Sequence, residues 1–227
     1  MADPNRLVDQ CVHKGLMYMA ESLQYYWPAN YPNENNIALH LARSFAEKGF
    51  QVWAEIPLKK NKKERLDFLS NSYPEEITVV MEFKGGVEDP PANIADLKRL
   101  VDIHNNNEWL YNDWPAAGSI QDHRIYGVVT LLYAMEFVNW WHTPDPHKDY
   151  MPDIESIADK NAQKRRAVGY KTIGKALGAT HYRGVAMLED FYRYDSARHS
   201  RYRFGYAAYA LYDETSIKEL EKALDAS

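Results

Sequence analysis

The sequence predicts an α/β fold in which a central mixed β-sheet is flanked by helices. Three observations predict it. Apolar residues at 37, 38, 41, 42 and 45 share one face of a helix, and at Phe50 that spacing gives way to strict alternation. A run rich in β-branched residues, Ile77-Thr-Val-Val-Met-Glu-Phe-Lys84, ends at Gly85 and Gly86. An amphipathic stretch and a further strand-like run follow it, the order expected where a helix crosses back over a sheet.

Each element has a local cause. Residues 5–26 read as a helix, with Leu7, Val8, Cys11, Leu16, Met19 and Leu23 at three- and four-residue spacing, and Pro28 and Pro32 end it. Asn33 is a suitable N-cap for a second helix, which Gly49 stops. Phe50, Val52, Ala54 and Ile56 alternate with Gln51, Trp53 and Glu55 to make a strand closed by Pro57, and a polar turn spans Leu58 to Lys63. A second strand covers Arg65 to Leu69, a turn Asn71 to Glu75, and a central strand Ile77 to Lys84. After Pro90 and Pro91, the positions Ile94, Leu97, Leu100, Val101 and His104 make one apolar helical face. A strand follows at Ile125 to Tyr133. The segment Ala134 to Pro152 reads as a short helix and an irregular excursion, because prolines at 144, 146 and 152 interrupt it. Helical patterns at 154–168 and 171–177, strand-like runs at 184–192 and 202–212, and a terminal helix at 215–224 complete the chain.

The 227 residues suit one domain, 1–227, with a core over about 34–133 and a C-terminal β/α elaboration over about 134–227. No internal repeat or low-complexity linker divides it. Hydrophobic residues at 45% and charged residues at 26% exclude a disordered or collagenous chain. A single cysteine, Cys11, excludes an internal disulfide and a cysteine-rich zinc module, which points to a reducing, cytoplasmic setting. No stretch reaches the roughly 18 apolar residues of a membrane helix, so no membrane partner is expected, and Asp3, Asp9 and His13 interrupt what would be the centre of a signal peptide.

The net charge of −5 argues against indiscriminate coating of nucleic acid, but it is unevenly distributed. Between Lys160 and Arg203 there are eleven Lys or Arg against three acids, a net +8, so the remainder carries −13. Lys164, Arg165, Arg166, Lys171, Arg183, Arg198, Arg201 and Arg203 are the candidate nucleic-acid contacts. They are interleaved with Tyr170, Tyr182, Tyr192, Tyr194 and Tyr202, a mixture that suits phosphate charge and base stacking. The same tyrosines also suit strand-face packing, and the same charges a solvated face.

Chemistry concentrates in the first half. Side chains two apart on a strand share a face, so Glu82 and Lys84 point one way and Met81 and Phe83 the other. If the strand holding Asp67 pairs beside this one, Asp67 reaches the face of Glu82. Two carboxylates at close range repel unless a hard cation compensates them. Glu34 begins the apolar stripe 38, 41, 45 and is expected to face the sheet; a first-turn glutamate favoured by the helix dipole is the simpler account. An isolated E-x-K is ordinarily a surface ion pair, and a core salt bridge rivals the metal site.

Glu34 on a helix, Asp67 one strand in, and Glu82-Phe83-Lys84 ending the next strand resemble the PD-(D/E)XK nuclease superfamily of restriction-endonuclease-like folds. The element order over 34–133 follows that superfamily, and Ala95-Asp-Leu-Lys-Arg-Leu100 resembles the helix that follows its E-x-K strand. The resemblance covers about 100 of 227 residues, and Leu66 stands where the name-giving proline would be. It implies a restriction-endonuclease-like core and a Mg²⁺-dependent nuclease, with Mn²⁺ substituting, that hydrolyses phosphodiester bonds in DNA, RNA not being excluded. Asp67 and Glu82 would bind the metal with the backbone carbonyl of Phe83, and Glu34 would add a further acid. Lys84 would hold or deprotonate the attacking water. Cutting both strands of a duplex would suit a homodimer. The alternative on the same fold is a non-catalytic nucleic-acid-binding or interaction module in which the four residues are a structural charge network. His142 and His147 bracket Pro144 and Pro146, which suits a rigid loop better than a metal cage, and His181 and His199 sit in the basic segment. No Walker loop, dinucleotide fingerprint, or serine or cysteine nucleophile motif is present.

Overall fold

The computed structural model describes residues 3–25, 34–57, 65–85, 90–106, 123–132, 135–143, 159–195 and 198–225. Twelve elements follow in order: α1 (Pro4–Tyr25), α2 (Glu34–Ala46), β1 (Gln51–Pro57), β2 (Arg65–Ser72), β3 (Ile77–Lys84), α3 (Pro90–Asn105), β4 (His123–Leu132), α4 (Met135–His142), α5 (Lys160–Gly178), β5 (Tyr182–Asp195), β6 (Arg198–Tyr212) and α6 (Ser216–Asp225). The strands form one six-stranded mixed sheet in the order β1-β2-β3-β4-β6-β5. Only β3 and β4 are parallel, and α3 is the crossover between them.

The alternation read from the sequence sorts the sheet's side chains into two cores. Phe68, Val79, Met81, Phe83, Val129 and Leu131 face α1 and α2. Leu69, Val80, Tyr126, Leu132 and Tyr212 face α3 to α6, and Leu66 joins this core although Phe68 lies in the other, so β2 departs from regular alternation around Asp67. Burial of both sheet faces is why β3 reads as a nearly continuous apolar run. Phe45 near the end of α2 packs on Phe68 at 5.2 Å, and Phe68 on Phe83 at 5.8 Å, which seats α2 across β2 and β3. Gly49, at φ 82°, stops α2 as expected, and the Phe50 N–H donates to the Phe45 carbonyl at 3.1 Å. Asn33, the turn at 58–63, the prolines that follow α1 and the excursion after residue 143 lie outside the described residues.

Two elements differ from expectation. β2 runs on past Leu69 through Ser70 and through Asn71 and Ser72, which the sequence places in a turn; these polar residues are buried because β1 and β3 pair on either side of them. The turn is Tyr73–Glu76, where Glu76 adopts φ 54°. In the C-terminal half, 160–178 is one helix rather than two, and Gly169 does not break it. This glycine is a point of close approach: a Cβ there would lie 2.5 Å from Cβ of Pro90, the first residue of α3. Gly→Ala inside a helix ordinarily stabilises by about 1 kcal/mol. Here overpacking against a rigid proline ring reverses the sign, and Gly169→Ala is expected to lose about 1–2 kcal/mol in urea unfolding.

Among the described residues no helix is long and apolar enough to cross a membrane.

Candidate functional site

The site forms at the C-terminal end of β3, where the β2–β3 ladder opens. The last paired positions are Phe68 and Met81, and the same register carried one residue further sets Asp67 beside Glu82. Asp67 turns its carboxylate back into the sheet, and Oδ2 accepts the backbone N–H of Phe83 at 2.6 Å. On the other side of Asp67, β1 is distorted: Glu55, which the β1–β2 register skips, adopts φ 54°. A left-handed glutamate within a strand is strained by about 1–2 kcal/mol, and such strain gathers where a strand is being re-aimed.

Glu82 is 1% exposed and projects toward α3, as does Lys84. Lys84 Nζ lies 2.9 Å from Asp96 Oδ2 and 3.7 Å from Glu34 Oε1. Arg99 donates from a terminal guanidinium nitrogen to Glu82 Oε1 at 2.9 Å and is 3.6 Å from Asp96 Oδ1. Glu34, Asp67, Glu82 and Lys84, spread over fifty residues of sequence, therefore meet at one strand end. Glu34 arrives differently from expectation. It starts a helix on the opposite face of the sheet and reaches round the end of β3, where its half-exposed carboxylate also accepts the Gly85 N–H at 3.3 Å. It is a rim acid, because its position precedes the point where α2 settles on the sheet.

Electrostatics follow from burial. Glu82 has its pKa pushed well above the usual carboxylate range, first by burial and then by the charge of Asp67, against the pull of Arg99. Burial likewise raises Asp67 and Asp96; the Phe83 N–H opposes the shift in Asp67, and Lys84 opposes it in Asp96. Burial works against the Lys84 ammonium, but its contact with Asp96 and the neighbouring acids outweigh that, and its pKa is raised.

Three buried oxygens here make no well-formed hydrogen bond among the described residues: Glu82 Oε2, Thr130 Oγ1 and Asp96 Oδ2, the last of which is nevertheless ion-paired with Lys84 at 2.9 Å. Thr130 lies beside Lys84 in the β3–β4 register and is 1% exposed. A lone buried hydroxyl is destabilising by about 1 kcal/mol or more. Thr130→Val is accordingly expected to raise stability by about 1 kcal/mol, read by urea unfolding. Beside the cluster, a small cavity runs between Glu82, Lys84 and Asp96 on one side and Trp141, Leu177 and Tyr212 on the other.

No protein-family model, curated protein or solved structure matches the chain. The functional reading therefore stands on the side chains themselves. Among the described residues, no group of three or more His, Cys, Asp or Glu is arranged to hold a metal ion. What is present is the Asp67–Glu82 pair with one buried, unpartnered oxygen. That donor set fits a hard cation of the Mg²⁺ kind, which takes one or two carboxylates and fills the remaining positions with water and substrate oxygens.

Asp96 and Arg99 supply the direct partners of Lys84 and Glu82, yet sequence reasoning gave them no role. Their signal was available. They stand three apart on α3, beside Leu97 and Leu100 of its apolar stripe, so a helix that packs on the sheet must bring both charges to it.

The basic candidates separate. Lys164 and Lys171 are exposed on α5, and Arg166 is half-buried there. Contact between Gly169 and Pro90 sets this helix against the first turn of α3, close to the acidic cluster. Arg183 donates to the Leu177 carbonyl at 3.0 Å, which ties it to the last turn of α5, and burial lowers its pKa. The side chains of Arg165, Arg198, Arg201 and Arg203 lie outside those described, as does His147; His142 is exposed at the end of α4. His181 stands 3.2 Å from Asp213.

Proposed function

We propose that the chain is a metal-dependent nuclease of the PD-(D/E)XK kind on a restriction-endonuclease-like core, acting on phosphodiester bonds in DNA. The observation that carries this reading is the meeting of Glu34, Asp67, Glu82 and Lys84 at the open end of the β2–β3 ladder, with Glu82 Oε2 buried and unpartnered. Asp67 and Glu82, together with the Phe83 carbonyl, would hold the ion, with Glu34 on the rim. Mg²⁺, when bound, supplies positive charge that neutralises the carboxylate pair, acidifies water and offsets charge on the phosphate. The chain's own residues do the rest. Lys84 presents an ammonium close to Glu34 and Asp96, suited to orient a water and to face the phosphate's developing charge. The exposed lysines of α5, Lys164 and Lys171, would supply phosphate contacts on the solvent side of that helix. A phosphodiester is already anionic, so each of these cations lowers the barrier to attack.

The test is incubation of plasmid and linear DNA with Mg²⁺, Mn²⁺ or EDTA. Cleavage by the wild type should require the metal, and Lys84→Ala should reduce it by about 10²-fold or more. Metal-independent cleavage, or full activity in Lys84→Ala, refutes the assignment.

One observation favours a second reading. The Arg99–Glu82 and Lys84–Asp96 pairs neutralise much of the cluster without any ion, as a structural charge network would in a non-catalytic nucleic-acid-binding module. DNA binding without cleavage in any metal would select it.

A further inference from the structure

Arg99 sits inside the carboxylate cluster, where three acceptors from three elements hold its guanidinium. One terminal nitrogen donates to Glu82 Oε1 of β3 at 2.9 Å and to the Arg65 carbonyl at the start of β2 at 3.5 Å. The same nitrogen lies 3.6 Å from Asp96 Oδ1, one turn earlier on α3. Lys84 takes the other oxygen of Asp96, at 2.9 Å. A guanidinium in this position is a permanent cation, because arginine does not lose its proton in proteins.

Few oxygens are left for an ion. Both oxygens of Asp96 and one of Glu82 already face a side-chain cation, and Asp67 Oδ2 accepts the Phe83 N–H. Glu34 Oε1 is turned to the Gly85 N–H and to Lys84. Glu82 Oε2 remains as a buried acceptor with no hydrogen bond among the described residues, and the β2–β3 register sets Asp67 beside it. That donor set suits one hard cation. Two-metal sites place their ions about 3.5–4 Å apart and need acids that flank both. Charge agrees with the count of oxygens. With every acid ionised, Glu34, Asp67, Glu82 and Asp96 outweigh Lys84 and Arg99 by two negative charges, which a single divalent ion cancels and a second would overturn.

We propose that Arg99 stands in the place of a second metal ion: the site takes one divalent cation, held by Asp67 and Glu82, and Arg99 closes the position that another would need at Glu82 Oε1 and Asp96 Oδ1. The proposal rests on the metal-dependent reading of the site and fixes how many ions it holds. A cation carried by the chain differs from an ion in that it does not leave when metal is scarce. Arg99 therefore keeps Glu82 and Asp96 in place, between β3 and α3, while the site is empty. It also sets the affinity of the remaining position, because a like charge beside a ligand weakens cation binding.

The count is read by electron paramagnetic resonance of Mn²⁺ titrated into the full chain without nucleic acid, with Asp67→Asn marking which bound ions belong to the site. The wild type is expected to bind one Mn²⁺ that Asp67→Asn abolishes. Arg99→Gln and Arg99→Met, each of which frees Glu82 Oε1 and Asp96 Oδ1, should bind two, with the exchange-coupled spectrum of a close pair. Arg99→Lys keeps the charge and should stay at one. An arginine that served only as a structural ion pair would change the unfolding temperature of these variants and leave the count alone. Two site ions in the wild type overturn the proposal, and that result needs no variant to fold. A single ion in a folded Arg99→Gln or Arg99→Met overturns it as well, whatever the affinity. The two readings fail separately: each of these results leaves Mg²⁺-dependent cleavage untouched, whereas a wild type that binds no Mn²⁺ at the site retires both.

Discussion

Glu82→Gln should abolish Mg²⁺-dependent cleavage, by about 10²–10³-fold or more, and at the same time raise the stability of the metal-free protein at pH 8. The first effect follows from losing an anionic ligand whose second oxygen has no other partner. The second follows from linkage. The folded pKa of Glu82 lies well above its unfolded value, so between those two values the native state binds more proton than the unfolded state. Stability contributed by the protonated form is fully present below the unfolded pKa and is lost as pH rises through the folded one. Glutamine keeps the shape and an acceptor for Arg99 but cannot ionise, so its advantage over the wild type should be small at pH 4 and grow toward pH 8 by thermal unfolding. A Gln variant that cleaves normally sinks the ligand assignment. One that is less stable than wild type at pH 8 sinks the account of the buried charge.

Trp141→Ala is expected to be the most destabilising of these substitutions, by about 3–5 kcal/mol. The indole is 2% exposed, and its Nε1–H donates to the Tyr209 carbonyl at 3.1 Å, which pins α4 to β6. It also walls the cavity beside Glu82, Lys84 and Asp96, so its removal opens that cavity to water and lowers the cost of ionising Glu82. Trp141→Phe separates the contributions: it keeps most of the packing, loses the hydrogen bond, and should lose about 1–2 kcal/mol in urea unfolding. Similar stability for the Ala and Phe variants would show that packing at this position is not what holds α4.

Much of this arrangement was legible because it depends on local periodicity. The alternation at 50–56, the β-branched run at 77–84 and the stripe at 94–104 gave the elements, and parity alone set Glu82 and Lys84 on one face. What was hidden depends on neighbours. Asn71 and Ser72 look like a turn until strands pair on both sides of them, and Gly169 looks like a break until Pro90 is found beside it. The ion pairs of Asp96 and Arg99 could be read only once α3 was known to lie over the end of β3. Glu34 was found by the spacing of its stripe, yet its place on the rim reflects how far α2 extends past the sheet, a matter of tertiary geometry.

The bond between Asp9 and Tyr209, in which the phenol donates to the carboxylate at 2.6 Å, joins positions two hundred residues apart. The ring of Tyr209 also lies over Gly184, so close that a Cβ there would stand 2.5 Å from the phenolic oxygen, and α1 packs along β5 on this same side. On a ribosome, α1 emerges well before these strands. At ordinary elongation rates the apolar side of α1 waits roughly 10–40 s before the hairpin that covers it has been made. Binding by chaperones, or mispairing between neighbouring nascent chains, is therefore expected to concentrate on residues 4–25 during synthesis.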